Sequence, residues 1–529
     1  MKMIHTIPFR TLCVSLLLIA LQACEDHRAP VNPTSFPDLP GSFFYILTEN
    51  NLIHELNIKN PKNILNTLQI ETRVPGEKIV AIDFRPATGQ LYALSNDQSM
   101  YSVNVGVTRF ARSYPVNRKT EVEADMKART VAFDFNPVTD RFRLITSKGE
   151  NVQLDPETGW LDKDNGNPKG LATPNVAAVA YANNYSGATQ STLYGIDPVD
   201  DKLVRYENAD AGTVQTVGAL GLDIAEVGGF DISPKTRFER EFGVAAVRFG
   251  NSWEFDYVDL TTGKLQKLGN GPENTKIIDI AIPTPVAYAV TKENKLLSLN
   301  PAGSVDEEGD IREKTMTGLP QGVSLLGLDF SAEPFPKLYA LATNSRIYEI
   351  NPGTGKATES CRLNLTLNLT GDPGFGVDFD PYTNLLRVVT TNNFQFSIHV
   401  GTGQVTDLNP LTFNGQAKGL TGLAFTNSQV ELTRPEDAVL YGMDGKSLYR
   451  KDLTTNALTK VVDFMDTFDN VNGFDIGGYQ EMGYAVMTYN GAYKLYKIDL
   501  TTGEMGGSSL AYKNISGFTL GYNIINKNP

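Results

Sequence analysis

Cysteine is scarce in this chain of 529 residues, which contains only three. Cys13 lies in an apolar N-terminal run that we expect to be removed, and Cys24 follows that run. Cys361 is then left without a partner, so an internal disulfide is not expected. The folded protein must therefore depend on buried apolar area for its stability.

Histidine is also rare, and its surroundings do not indicate nucleophilic catalysis. His27, His54 and His399 are the histidines beyond the N-terminal run. None lies beside a serine or cysteine in a nucleophile motif, and the pattern GxSxG is absent. A carboxylate pair for glycoside cleavage is compatible with so acidic a chain, but the sequence selects no such pair.

Helical periodicity is missing beyond residue 41, and basic residues are outnumbered. Aspartate and glutamate total 60 against 47 lysines and arginines, which gives a formal net charge of −13. An acidic surface repels phosphate groups. We therefore expect neither nucleic acid nor an anionic lipid surface as a partner.

A short pattern recurs ten times, as a small residue, an apolar residue, usually aspartate, and another apolar residue. The copies are AIDF (81–84), AFDF (132–135), AVAY (178–181), GFDI (229–232), DIAI (279–282), GLDF (327–330), GVDF (376–379), GLAF (422–425), GFDI (473–476) and GFTL (517–520). Runs of alternating apolar and polar residues follow the copies, such as QLYALS (90–95) and MYSVNV (100–105). This alternation predicts short, half-buried β-strands.

The spacing of the copies predicts the fold class. Successive copies are about fifty residues apart, a period typical of four-stranded propeller blades. Asp134 and Asp378 are separated by 244 residues, and Asp231 and Asp475 by the same 244. We therefore predict an all-β protein built as a β-propeller with two tandem five-bladed rings. One ten-bladed ring is the alternative, because the first and last strands of the chain can complete blades in either arrangement.

The N-terminus indicates export. Lys2 and Arg10 precede an apolar run over residues 12–21, which is typical of a secretory signal. The following LQAC (21–24) resembles a bacterial lipobox, and this resemblance implies cleavage before Cys24 and lipid attachment to it. We expect a signal peptide over 1–23 and a flexible tether over 24–41, which is rich in proline and polar residues. Propeller-like domains are expected over 43–283 and 286–522.

Several longer segments resemble a bacterial family known as domain of unknown function 4394. They are ETRVPGEKIVAIDFRPATGQLYALS (71–95), VAFDFNPVTDRFRLITSKGENVQLDPETG (131–159), AVAYANNYSGATQSTLYGID (178–197) and GGFDIS (228–233). The second half matches more loosely, since YANNYSGAT is replaced by FTNSQVELT (425–433). The resemblance implies secretion and a propeller-like β fold, and it carries no established activity.

The recurring aspartates are the sharpest candidates for a site. They are Asp83, Asp134, Asp231, Asp329, Asp378 and Asp475, called here the ring aspartates. Three carboxylates per ring suit Ca²⁺ or another hard cation, the only cofactor that the sequence suggests. The alternative, favoured by their regular recurrence, is that each accepts hydrogen bonds from turn N–H groups. A loop with Asp162, Asp164 and Gly166 resembles a calcium loop but has Thr173 where the pattern needs glutamate.

Two functions are compatible with these features. The first is a lipid-anchored binding or scaffold protein of the cell envelope, on the periplasmic or surface face of the outer membrane. Its partner would be a protein, glycan or small molecule, and it would meet the membrane only through its lipid. The second is a hydrolase with carboxylates or a metal at a channel mouth. Trp160 and Trp253 are either platforms for sugar rings or packed between blades.

Overall fold

The computed structural model describes residues 43–523, except 98, 106–109, 112, 118–130, 147–149, 160–174, 235–240, 304, 306–309, 333–334, 429–433 and 478–481. Strands supply nearly all of the regular secondary structure in the described part. One turn of 3-10 helix, Pro435–Asp437, interrupts a connection in the second half. The prediction of an all-β fold is confirmed.

Twenty strands lie in the described residues of the first ring. They are β1 (Phe43–Thr48), β2 (Leu52–Asn57), β3 (Asn66–Ile70), β4 (Ile79–Phe84), β5 (Leu91–Ser95), β6 (Met100–Val103), β7 (Phe110–Ala111), β8 (Ser113–Asn117), β9 (Val131–Asn136), β10 (Arg141–Thr146), β11 (Asn151–Leu154), β12 (Ala178–Tyr181), β13 (Leu193–Asp197), β14 (Lys202–Asn208), β15 (Thr213–Ala219), β16 (Glu226–Ile232), β17 (Gly243–Phe249), β18 (Ser252–Val258), β19 (Leu265–Asn270) and β20 (Ile277–Ala281).

The second ring contains the remaining strands. They are β21 (Ala287–Thr291), β22 (Lys295–Leu299), β23 (Ile311–Thr315), β24 (Leu325–Phe330), β25 (Leu338–Ala342), β26 (Arg346–Ile350), β27 (Ala357–Arg362), β28 (Phe375–Asp380), β29 (Leu385–Thr390), β30 (Gln395–Ile398), β31 (Val405–Leu408), β32 (Thr412–Phe413), β33 (Gln416–Ala417), β34 (Gly422–Phe425), β35 (Leu440–Met443), β36 (Ser447–Lys451), β37 (Leu458–Asp463), β38 (Asn470–Ile476), β39 (Met482–Tyr489), β40 (Ala492–Asp499), β41 (Met505–Ser509) and β42 (Ile515–Leu520).

Antiparallel pairing groups most of these strands into five blade sheets per ring. In addition, β7 pairs in parallel with β3, and β32 and β33 form a separate two-stranded sheet. In chain order of their inner strands, the second to fifth sheets of the first ring begin with β4, β9, β12 and β16. Those of the second ring begin with β24, β28, β34 and β38. All ten predicted copies of the recurring pattern lie on or at the end of an inner strand.

The first sheet of each ring decides between two rings and one. Strand β20 pairs with β1, so that Ala281 lies opposite Tyr45. Strand β42 pairs with β21, so that Leu520 lies opposite Ala287. The five inner strands of each half contact one another in a closed cycle. The chain therefore forms two five-bladed rings, as predicted, and the ten-bladed alternative does not hold.

The hydrophobic core consists of separate clusters, each lying between two neighbouring sheets. Tyr92 and Phe142, from the second and third sheets of the first ring, belong to one such cluster. Leu341 and Val388 occupy the corresponding place in the second ring. The strands near each ring axis have adjacent sheets on both faces, so their residues are buried almost continuously, as in β5 with all five residues buried. Outer strands such as β15 and β41 are largely exposed. Each sheet is thus stable only against its neighbours.

Buried polar contacts join the two rings. The Tyr288 hydroxyl of β21 donates to the Ala87 carbonyl at 2.7 Å and lies 2.6 Å from the Ser186 hydroxyl. The Tyr522 N–H donates to the Thr88 carbonyl at 2.7 Å. Tyr288 is fully buried. The turn after β4 and the connection after β12 therefore both dock on the first sheet of the second ring.

The segment YANNYSGAT contributes much of this junction. Tyr185 carries the guanidinium of Arg312 over its ring at 4.8 Å. A Cβ atom on Gly187, whose φ is +83°, would lie 2.7 Å from the Arg312 Cβ and the Ser298 hydroxyl. Only glycine fits there without displacing the second ring.

Candidate functional site

The ring aspartates occupy the third position of the recurring pattern, near the end of each inner strand. The structure brings them together as two buried groups, Asp83, Asp134 and Asp231 in the first ring and Asp329, Asp378 and Asp475 in the second. Within each group, one oxygen from each carboxylate lies within 4.8 Å of the others. All six side chains are at most 4% exposed. The predicted convergence of three carboxylates per ring is thus present.

Each carboxylate of the first ring binds the backbone of the next inner strand. Asp83 accepts a hydrogen bond from the Phe135 N–H at 2.7 Å, and Asp134 accepts one from the Tyr181 N–H at 3.1 Å. Asp231 accepts from the Ile282 N–H at 2.6 Å. The inner strands are therefore joined around the ring axis by side chains.

The second ring repeats this arrangement. Asp329 accepts from the Phe379 N–H at 2.6 Å, and Asp378 accepts from the Phe425 N–H at 2.8 Å. Asp475 accepts from the Leu520 N–H at 2.7 Å. The donors belong to neighbouring inner strands rather than to turns. The carboxylates thus accept backbone hydrogen bonds, as the alternative expected, but the donors lie on strands.

Asp279 also belongs to this network, although it was not among the predicted site residues. Its two carboxylate oxygens accept from the Ile280 and Ile82 N–H groups, both at 2.9 Å. It replaces the aspartate that is missing at Ala281, because residues two apart on a strand face the same side. The signal was visible in the sequence as the leading aspartate of DIAI, two positions early.

Mutual repulsion and burial shift the carboxyl pKa values upward. Burial, followed by the charge of Asp231, raises the pKa of Asp83 well above its usual value. Burial also raises the pKa of Asp231 to about 7 and that of Asp475 to about 6. Burial and the charge of Asp329 raise the pKa of Asp378. Three buried charges so close together are costly, so each group favours holding protons.

Thr519 indicates where such a proton lies in the second ring. Its hydroxyl is 2.7 Å from an oxygen of Asp329 and 3.0 Å from one of Asp475. A hydroxyl has one proton to donate, so bonding to both carboxyls requires a proton on one of them. Asp378 Oδ1 is buried and receives no hydrogen bond among the described residues. A proton shared with Asp329 would satisfy it.

The donor sets fit a metal ion poorly. Calcium requires six to eight oxygen ligands, and waters would have to complete three carboxylates. Most of the oxygens already accept hydrogen bonds from backbone N–H groups or Thr519. A cavity of about 200 Å³ at the mouth of the first ring is lined by Asp279 and Glu226, but by none of the ring aspartates.

The remaining candidates do not form a site among the described residues. His54 is buried with Nδ1 2.9 Å from the Thr67 hydroxyl, and burial lowers its pKa. His399 is exposed in a turn, where its Nδ1 accepts from the Gly401 N–H. Trp253 on β18 packs against Gly228 on β16 of the same sheet. Cys361 is buried and has no disulfide partner.

Some predicted features lie outside the described residues. They are Cys24, His27, Trp160 and the loop containing Asp162, Asp164 and Gly166. In the part of the chain that the structure describes, no helix is long and apolar enough to cross a membrane.

Two stretches of the chain, residues 52–281 and 303–514, match a family described as domain of unknown function (DUF4394). The chain belongs to the DUF4394 family. The two matches correspond to the two rings, so the family unit in this chain is one five-sheet ring. The predicted tandem resemblance is confirmed.

Wider comparisons add no functional information to the DUF4394 assignment. A search of curated proteins finds no match. The computationally designed Ika8 protein is 12% identical with a TM-score of 0.21, covering 83% of this chain and 99% of that chain. A chain of the nidogen–laminin complex is 13% identical with a TM-score of 0.28, covering 45% and 98% respectively. At such scores neither likeness bears on fold or function.

Proposed function

We propose that this DUF4394 protein is an exported, lipid-anchored binding protein of the bacterial cell envelope. The proposal rests on the burial and the hydrogen bonds of the ring aspartates. They are buried and bonded to backbone N–H groups of neighbouring inner strands, so they are poorly placed to meet a substrate. Ligand recognition is then left to the surface between and around the sheets.

Two clefts in the second ring support a binding role. Cavities of about 300 Å³ and 980 Å³ lie on either side of its fourth sheet, which is built from β34 to β37. Both contain Lys451 and Asp452. Clefts of this size, lined by a few polar groups on a rigid scaffold, suit small-molecule ligands. The buried junction between the rings supplies that rigidity.

Anchoring is proposed from the N-terminal sequence alone. The apolar run and LQAC (21–24) support lipid attachment at Cys24. Full-length protein expressed in bacteria with labelled palmitate should incorporate the label and partition into detergent. Cys24→Ala should abolish both, whereas Cys361→Ala should retain both. Labelling of Cys24→Ala at the wild-type level would contradict the proposal.

A ligand screen tests the binding role directly. Purified full-length protein should show raised melting temperatures with some small polar molecules and should leave them chemically unchanged. Product formation from an ester or glycoside, lost in Asp83→Asn or Asp378→Asn, would instead support the hydrolase alternative. That alternative is favoured only by the convergence of three carboxylates in each ring.

A further inference from the structure

The same arginine occupies the third sheet of both rings, but its surroundings differ. Arg143 on β10 lies opposite Asp134 on β9. Arg387 on β29 lies opposite Asp378 on β28 in the same register. The first ring therefore provides an internal reference for the second.

In the first ring the guanidinium is fully occupied by the protein. Arg143 Nε donates to the Tyr181 hydroxyl at 2.8 Å, and Nη1 donates to Asn151 Oδ1 at 2.7 Å. Nη1 also reaches the Ala209 carbonyl at 3.0 Å, and Nη2 donates to Asp210. Arg143 is 2% exposed. All three nitrogens of the Arg143 guanidinium therefore have acceptors within the protein.

In the second ring three positions around the arginine carry different residues, two of them at positions that bind Arg143 in the first ring. Phe425 stands at the position of Tyr181, and it lacks the hydroxyl that would accept from Nε. Gln395 stands at the position of Asn151, and Lys451 stands at the position of Tyr206. Arg387 keeps one ion pair, from Nη2 to Asp380 at 3.0 Å. Its side chain is correspondingly more open, at 17% exposure.

These replacements leave an unmatched donor and an unmatched acceptor. Arg387 Nε and Gln395 Oε1 are buried and have no hydrogen-bond partner among the described residues. Gln395 is 4% exposed. Leaving a buried donor or acceptor unpaired is unfavourable, so these two atoms are open to a partner from outside the chain. Both residues line the cavity of about 300 Å³ between the third and fourth sheets.

Two cations, Arg387 and Lys451, and two carboxylates, Asp380 and Asp452, line the cavity. Asp380 is paired with Arg387 Nη2, and Asp452 accepts from the Thr454 and Thr455 N–H groups. Among the residues that the structure describes, Arg387 Nε and Lys451 are left without a carboxylate, which favours an anionic partner.

Lys451 Nζ donates to the Asp452 carbonyl at 2.9 Å, and no carboxylate pairs with it in the described chain. Burial, followed by repulsion from Arg387, lowers the pKa of Lys451. An anion between the two cations would relieve this repulsion. Tyr382, which is 44% exposed, adds an aromatic wall of the kind that sugar rings contact.

We propose that the cleft between the third and fourth sheets of the second ring binds a small hydroxylated carboxylate, such as a sugar acid. The carboxylate accepts from Arg387 Nε and Lys451, and a hydroxyl donates to Gln395 Oε1. This assignment rests on the proposed binding function and specifies its ligand class. Phosphate shares the anionic chemistry, but it lacks a sugar's hydroxyl-bearing ring beside Tyr382.

Isothermal titration of the full-length protein tests the ligand class with four probes. D-glucuronate should bind, and D-glucose, acetate and inorganic phosphate should bind at least about tenfold more weakly, because each lacks the charge, the hydroxyls or the ring. Equal binding of glucose, or no binding of glucuronate, would overturn the assignment. Tight phosphate binding without glucuronate binding would also overturn it.

Phe425→Tyr is the decisive variant, because it restores the hydroxyl that Tyr181 supplies in the first ring. It should satisfy Arg387 Nε, preserve or raise the melting temperature, and weaken glucuronate binding about tenfold or more. The matched control is Tyr181→Phe, which should lower the melting temperature and leave glucuronate affinity unchanged. Unchanged glucuronate affinity in a folded Phe425→Tyr protein would refute the proposal.

The outcomes also separate this assignment from the broader binding function. If glucuronate does not bind but another small molecule binds without being altered, the proposed binding function is supported and the sugar-acid site is refuted. If a bound compound is converted to product, the binding function itself falls. Lys451→Met, which removes the charge but keeps most of the unbranched side chain, should weaken glucuronate binding without changing the weak binding of glucose.

Discussion

The carboxylate of Asp83 accepts a hydrogen bond from the Phe135 N–H at 2.7 Å, although 52 residues separate the two. Its other oxygen accepts from the adjacent Phe84 N–H, also at 2.7 Å. Asp83 is therefore the bridge between the second and third inner strands of the first ring. The same relation recurs at the other ring aspartates, and it explains why aspartate recurs in the pattern.

Removal of one such bridge should destabilise its ring. In Asp83→Ala, the buried N–H groups of Phe84 and Phe135 lose their acceptors. We expect the free energy of unfolding to fall by about 2–4 kcal/mol, measured by urea denaturation. Asp407→Ala, at an exposed position of β31, is the control and should change stability by less than about 0.5 kcal/mol. Equal effects of the two substitutions would refute the bridging role.

The acidic groups should also make stability depend on pH in an unusual direction. Because burial raises the pKa of Asp231 to about 7, the folded state binds a proton more tightly than the unfolded state does. The stabilisation is complete below about pH 4 and is lost as the pH rises towards 7. Asp475, with a pKa of about 6, loses its contribution earlier in the same window.

A comparison with Asp231→Asn isolates this contribution from the rest of the protein. Between pH 4 and 7 the wild type should lose up to about 1.4 kcal/mol per pH unit more than the variant. Urea denaturation at several pH values provides the difference between the two proteins. A difference that is constant, or that grows towards low pH, would show that Asp231 is ionised throughout.

The recurrence of the inner strands was readable from the sequence, but the direction of their side chains was not. Apolar alternation and equal spacing located all ten inner strands, because these follow from the period of each sheet. Whether Asp83 faces a turn, the channel or Phe135 depends on the adjacent sheet, which the pattern does not encode. Asp279 was missed for the same reason, since its role follows from the absence of a carboxylate at Ala281.

Contacts between distant segments could not be predicted from the sequence. YANNYSGAT was visible as a segment peculiar to the first half, but its partner Tyr288 lies 102 residues beyond Ser186. Arg387 and Gln395 carry no motif, and their unmatched atoms are recognisable only beside Arg143 and Tyr181. Internal duplication makes this comparison possible, because one ring shows how the other could have been completed.

The junction should contribute measurably to stability. Tyr288→Phe removes the hydroxyl that donates to Ala87 and contacts Ser186, leaving both buried groups with one partner fewer. We expect a loss of about 1–3 kcal/mol and a broadened or split calorimetric transition as the rings begin to unfold separately. Tyr382→Phe, at an exposed site, should retain the wild-type transition. An unchanged transition in Tyr288→Phe would mean that the junction does not couple the rings.

Calcium should bind the ring aspartates weakly and should change the melting temperature of the protein little. Their oxygens accept hydrogen bonds from N–H groups that a cation would have to displace, and burial raises the carboxyl pKa values, so protons compete with a metal ion. We therefore expect the melting temperature to change by less than about 1 °C between 5 mM Ca²⁺ and 5 mM EDTA, by the mass-action relation for ligands of the folded state. A rise of several degrees in Ca²⁺ that disappears in both Asp134→Asn and Asp378→Asn would establish the metal interpretation. A rise that persists in both variants would place the calcium elsewhere, and the hydrogen-bonded role of the carboxylates would stand.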